Sequence, residues 1–171
     1  MSLPRVGLAA LLVLCGAVLE LAVLAPLGLP GATPDVVLLV VVALALRWGP
    51  LDGAVVGFAA GLVVDLTPPS DGGAGRWAAV FLLVGFAVGR VFEDADDTPV
   101  VALFAVTLAS AASVLGYAAL ASLVGDDGVE WARVPSLVTS SVIYDVVLTA
   151  VVVPVVGGLA RRIDPEPDFR R

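Results

Sequence analysis

Long apolar runs separated by short polar or Pro/Gly-rich segments dominate the chain. The first run extends from Val6 to Leu29, behind Arg5, and closes in the Pro26 to Pro34 segment. A helix crossing the hydrocarbon core of a bilayer needs about 20 apolar residues, and this run supplies them. It is too long for the apolar core of a signal peptide, so a retained first helix is expected. Val36 to Leu46 and Gly53 to Leu66 follow, on either side of Arg47-Trp48-Gly49-Pro50-Leu51-Asp52. Each is short for a full crossing. Two arrangements compete: a hairpin of two short helices, or one long helix broken at Gly49-Pro50. A fourth helix runs from near Trp77 to Phe92. A fifth, Thr98 to Gly125, is uncharged, and a sixth, Val134 to Ala160, contains only Asp145. Asp97-Thr98-Pro99 and Arg133-Val134-Pro135-Ser136 place Pro at helix starts, where its missing N–H is no loss.

The distribution of arginine decides between hairpin and broken helix. With six crossings and both termini inside, the inner side holds Arg5, Arg47, Arg90, Arg161, Arg162, Arg170 and Arg171, and the outer side only Arg76 and Arg133. Five crossings would bury Arg47, at about 2.5–3.5 kcal/mol, and would spread the remaining arginines more evenly. The positive-inside rule favours six. The expected fold class is an all-α membrane protein with six transmembrane helices, of which the second and third are short. Their bounds are about 6–29, 35–46, 53–66, 76–92, 98–124 and 134–160, in a single polytopic domain 1–171 with a cytoplasmic tail 161–171. Trp48, Trp77 and Trp131 fall at plausible membrane interfaces.

Composition agrees: 60% of residues are apolar and 15% charged, against about 45–50% and about 25% in soluble domains. All nine basic residues are Arg and no basic face exists, which excludes a nucleic-acid binder. Histidine is absent, which removes Ser-His-Asp triads and His-ligated metals. The lone Cys15 is a small packing residue. Two acidic segments, Glu93-Asp94-Ala95-Asp96-Asp97 inside and Asp126, Asp127 and Glu130 outside, read as solvated loops or as docking patches for a basic partner.

Candidate chemistry lies inside the apolar runs. Gly53, Gly57 and Gly61 recur every four residues, with Asp65 four further on. They leave one side of the third helix nearly bare, so another backbone can come close. That backbone belongs either to this protein, with Gly85 and Gly89 of the fourth helix repeating the spacing, or to a partner. The sixth helix carries two adjacent polar rows: Ser136, Ser140 and Tyr144, and Ser141, Asp145 and Thr149. Pro154 and Gly157-Gly158 are expected to kink or loosen its end. Glu20, Asp65 and Asp145 are acids within apolar sequence, each a functional candidate or a satisfied structural contact. No Arg is available within the runs, so each is expected to be protonated, hydrogen-bonded to Ser, Thr or Tyr, or hydrated. The partner-helix interface candidates are Gly53, Gly57, Gly61, Asp65, Ser140, Ser141, Tyr144 and Asp145; Arg47, Gly49 and Pro50 form the turn motif. Tyr144-Asp145 is similar to half of an intramembrane aspartyl protease signature. The companion Gly-x-Gly-Asp element is missing, since the second position reads Gly61-Leu62-Val63-Val64-Asp65. No enzyme, cofactor or metal site is expected.

The run Arg47-Trp48-Gly49-Pro50-Leu51-Asp52-Gly53-Ala54-Val55-Val56-Gly57-Phe58-Ala59-Ala60-Gly61-Leu62-Val63-Val64-Asp65-Leu66 follows a short helix that begins after Thr33-Pro34-Asp35. This resembles the rod shape-determining MreD family, in which an Arg-x-Gly turn leads into a helix with Gly-Phe, Gly-Leu and Asp. Gly75-Arg76 and Gly85-Phe86-Ala87-Val88-Gly89 are similar too. The resemblance implies a non-enzymatic subunit of the bacterial cell-elongation machinery in the cytoplasmic membrane. Its partner would be an MreC-like bitopic protein, and through it MreB, RodA and a class B penicillin-binding transpeptidase. The family is also similar in architecture to the substrate-binding subunits of energy-coupling-factor transporters. That likeness supplies the alternative expectation, a small-solute or vitamin-binding transporter subunit. Against it, Val6 to Gly28 has no small residues four apart for docking, and only 6% of residues are aromatic.

Overall fold

The computed structural model describes residues 1–67, 75–93, 95, 98–125 and 129–163. The described chain is all-helical: α1 (Leu3–Leu19), α2 (Val36–Trp48), α3 (Pro50–Leu66), α4 (Arg76–Val91), α5 (Pro99–Leu123) and α6 (Val134–Ile163). Within the acidic segments and the tail, Asp94, Asp96, Asp97, Asp126, Asp127, Arg170 and Arg171 lie outside the described residues.

The centre of the fold is α2. It is apolar all round, and residues Val37, Leu38, Leu39, Val41, Val42, Leu44 and Ala45 have no exposed surface. A helix without a polar face must be enclosed, and α2 touches each of the other five helices. Its 13 residues extend only about 20 Å at 1.5 Å per residue, well short of a hydrocarbon core about 30 Å thick.

The α2–α3 connection is a single residue. Gly49 has φ 83° and ψ −174°, a region that only glycine enters freely, and Pro50 starts α3 with its φ already set. The two helices fold back on one another: a Cβ at Gly53 would lie 2.8 Å from the Ala45 Cβ. The hairpin is therefore realised, and it is tighter than the six-residue turn expected from Arg47 to Asp52. Below it, the Arg5 guanidinium bonds Asp52 at 2.7 Å and lies 5.5 Å over the Trp48 ring. This brings the start of α1 to the end of α2.

Two further features depart from the sequence expectation. After Leu19, α1 widens into a π-helical turn, Glu20–Leu24, and tightens into a 3-10 turn, Ala25–Leu27. In α6 the helix continues through Pro154 and Gly157-Gly158 to Ile163, because one proline removes one backbone hydrogen bond and apolar surroundings offer the rest no alternative partner. The start of α5 is as expected, with Thr98 as the cap before Pro99: its hydroxyl accepts from the Val101 N–H at 3.3 Å.

Among the described residues, three helical stretches are long and apolar enough to cross a membrane: Leu3–Leu27 with 25 residues, Pro99–Leu123 with 25 and Val134–Ile163 with 30. Their outer surfaces are apolar. Leu11, Leu14 and Val18 of α1 and Ile143, Val147, Val151 and Val155 of α6 are all exposed. Ridges of this length facing water would be untenable; facing lipid they are the expected surface of a membrane protein.

Candidate functional site

Two polar devices lie within the apolar bundle, and both hold helix N-termini. The first surrounds the start of α2. The first N–H groups of any helix lack partners within it, and α2 starts deep in the bundle, away from water. Three carboxyl oxygens meet this need. The Asp35 side chain accepts from Leu38 N–H at 2.7 Å. Glu20 accepts from Val37 N–H at 2.7 Å, the π-helical turn having placed it opposite α2. Asp145 of α6 accepts from Asp35 N–H at 2.9 Å with one oxygen. With the other it accepts from the hydroxyls of Ser110 at 2.7 Å and Ser141 at 3.2 Å. Negative groups at a helix N-terminus also meet the positive end of its dipole. One cluster thus ties α1, α2, α5 and α6 together, and Asp145, Ser110 and Ser141 are buried within it.

The loop leading into α2 is held by the same face of α6. Ser140 accepts from Ala32 N–H at 2.9 Å, and the Tyr144 hydroxyl donates to the Pro30 carbonyl at 3.1 Å.

The second device is Asp65, at the end of α3. Its carboxylate accepts from Gly75 N–H at 2.9 Å, Trp77 N–H at 3.1 Å and Ala78 N–H at 3.0 Å, and so caps α4, whose own N-cap residue is a glycine. Asp145 meets two of the expected hydroxyls, in Ser110 and Ser141; the other partners of Glu20, Asp65 and Asp145 are backbone N–H groups of other elements. The sequence carried one legible sign, Asp35 immediately before an apolar run, which is the pattern of an N-cap. It gave none for Ser110, one hydroxyl among several on an uncharged helix.

The glycine face of α3 is turned inward onto α4. A Cβ at Gly57 would overlap the Phe81 carbonyl, and one at Gly61 would overlap Trp77 and Ala78. Gly53 faces Gly85, and a Cβ at Gly89 would lie 2.6 Å from Gly49 and Pro50. The pairings descend along α4 as they ascend along α3, so the helices are antiparallel with backbones in near contact. All eight interface candidates therefore make contacts within this chain. The turn motif takes part as well, since Gly49 and Pro50 are the floor on which Gly89 rests.

Beside this seam α4 also meets α5. Trp77 stacks on Tyr117, with ring centroids 4.4 Å apart, and Phe81 meets Trp77 edge-on at 5.4 Å. Among the described residues no group of three or more His, Cys, Asp or Glu is arranged to hold a metal ion.

The model of one protein family, described as rod shape-determining protein MreD, matches residues 3–163. No curated protein and no solved structure matches the chain.

Proposed function

The chain belongs to the MreD family of rod shape-determining proteins, and from this premise we propose that it is a non-enzymatic membrane scaffold of the cell-elongation complex. Its role in rod shape determination follows from the family. In the proposed mechanism it binds an MreC-like bitopic protein by intramembrane helix packing, and through it is linked to MreB, RodA and a class B penicillin-binding transpeptidase. It crosses the cytoplasmic membrane six times with both termini inside.

The observation that carries this reading is the family match over residues 3–163, which takes in all six helices. The arrangement of polar groups supports a scaffold. Glu20, Asp35, Asp65 and Asp145 are engaged by backbone N–H groups and serines, so they hold the bundle's shape. The outer surface is apolar and available for helix association in the bilayer. Clustering of Arg5, Trp48 and Asp52 supports a common side for the start of α1 and the α2–α3 turn, as six crossings require.

The test is capture. The tagged chain, extracted in mild detergent from its own membranes, should bring down an MreC-like bitopic protein, and cells depleted of the chain should lose rod shape. Capture of a tightly held vitamin or other small solute instead, with cell shape normal on depletion, would replace the scaffold by the transporter reading.

A further inference from the structure

The loop between α1 and α2 lies below the membrane surface, and three helices measure how far. Arg5 and Trp48 meet at 5.5 Å, and their level marks one boundary of the hydrocarbon, where such residues belong. From Trp48, α2 climbs 13 residues to Asp35, about 20 Å at 1.5 Å rise. From Arg5, α1 climbs 15 residues to Glu20, about 22 Å, and Glu20 bonds the start of α2. From Arg161, α6 climbs 16 residues to Asp145, about 24 Å, and Asp145 bonds the Asp35 N–H. The three routes agree. In a core about 30 Å thick they leave the start of α2 roughly 6–10 Å beneath the far surface. The loop covers that distance along α6, from Ala32 beside Ser140 to Asp35 beside Asp145.

This segment is irregular, and Pro30, Gly31 and Thr33 are exposed. From α6, Ser140 meets the Ala32 N–H and Tyr144 the Pro30 carbonyl. The N–H groups of Gly31 and Thr33 have no partner among the described residues. Irregular backbone at membrane depth persists only where protein encloses it or where it lines water. Protein does not enclose this loop. We infer that a water-filled vestibule opens from the outer face of the membrane onto Pro30, Gly31 and Thr33. Its direction rests on the six crossings proposed above; its depth rests on the helix lengths alone. The wall along α6 suits water better than lipid, since hydroxyls accompany the loop: Tyr144, Ser140 and, one turn above, the exposed Ser136. The floor is the buried Pro34, one residue short of the carboxyl cluster.

The experiment compares two cysteines of similar depth in the full chain, purified with Cys15→Ala and placed in lipid nanodiscs. Thr33→Cys probes the loop. Leu115→Cys is the lipid-facing control. Ser110 meets Asp145, and Leu115, 47% exposed, stands 5 residues beyond Ser110. That is the level of Ser140, no deeper than Thr33. A charged methanethiosulfonate reagent attacks the thiolate, which forms in water and not among lipid tails. The Thr33→Cys variant should react at least about tenfold faster than Leu115→Cys, and both should keep the parent's thermal midpoint. Equally slow reaction means that lipid covers the loop, and overturns the vestibule. Equally fast reaction means that the bilayer surface lies lower around the whole bundle, and overturns it too. In intact cells the Thr33→Cys variant should react without lysis. Reaction only after lysis overturns the outward direction and the proposed orientation together, a failure separate from that of the nanodisc comparison.

Discussion

Asp145 shows how an acidic residue becomes structural in an apolar interior. Its two oxygens serve the Asp35 N–H, Ser110 and Ser141. Asp145→Leu strands all three donors, and each buried polar group left without a partner costs about 1–3 kcal/mol. Interhelical hydrogen bonds in membranes are weaker on average, about 0.6 kcal/mol, so the expected loss is about 2 kcal/mol in total. Asp145→Asn keeps a carbonyl oxygen for the Asp35 N–H and should lose less than half as much. Thermal unfolding of both variants in one detergent checks the order; equal midpoints would refute it. Asp65→Ala removes the acceptor of three N–H groups at the start of α4. It should destabilise by about 1–2 kcal/mol, as loss of a helix cap does, and hydrogen exchange should quicken first in residues 75–79.

Between elements, the α3–α4 seam is a matter of backbone distance. Gly57→Ala places a methyl on the Phe81 carbonyl, and neither backbone can move without opening the whole contact. The substitution is expected to lower the yield of folded, monodisperse protein sharply, by about 1–3 kcal/mol of overpacking. Gly116→Ala is the internal contrast. Its new Cβ would meet Val80 at 3.5 Å, an ordinary contact, so the change should stay within about 0.5 kcal/mol. Size-exclusion profiles and thermal midpoints of the two variants separate a seam set by glycine from a general intolerance of change in the bundle.

For the whole molecule, the short α2 is the organising fact. A 13-residue helix covers only about 20 Å of a hydrocarbon core about 30 Å thick, so the loop that leads into it has to complete the crossing and its N-terminus lies among other helices. The remaining elements supply the carboxylates and the loop that close it off. The proposed six crossings, with both termini inside, make a direct prediction. With Cys15 replaced by Ala, a single cysteine at Glu130 should react with an impermeant thiol reagent in intact cells, and one at Ser2 only after lysis. Reaction of the Ser2 cysteine in intact cells would invert or reduce the number of crossings.

Periodicity and apolar length made the helices and the membrane setting legible, and the motif from Arg47 to Leu66 made the family so. These are local properties: a run of apolar residues, a capping aspartate, a Gly-Pro turn each act over a few positions. Which surfaces face one another is not local. Glycine every fourth residue from Gly53 to Gly61 says that some backbone comes close, yet only the folded chain makes that backbone α4. Glu20 and Asp145, 125 positions apart in sequence, meet at α2 because the N–H groups exposed there have no water to bond. The sequence determined which groups need partners; the tertiary structure decided which partners they found, since a hydrogen bond or a close contact is formed by distance in space and not along the chain.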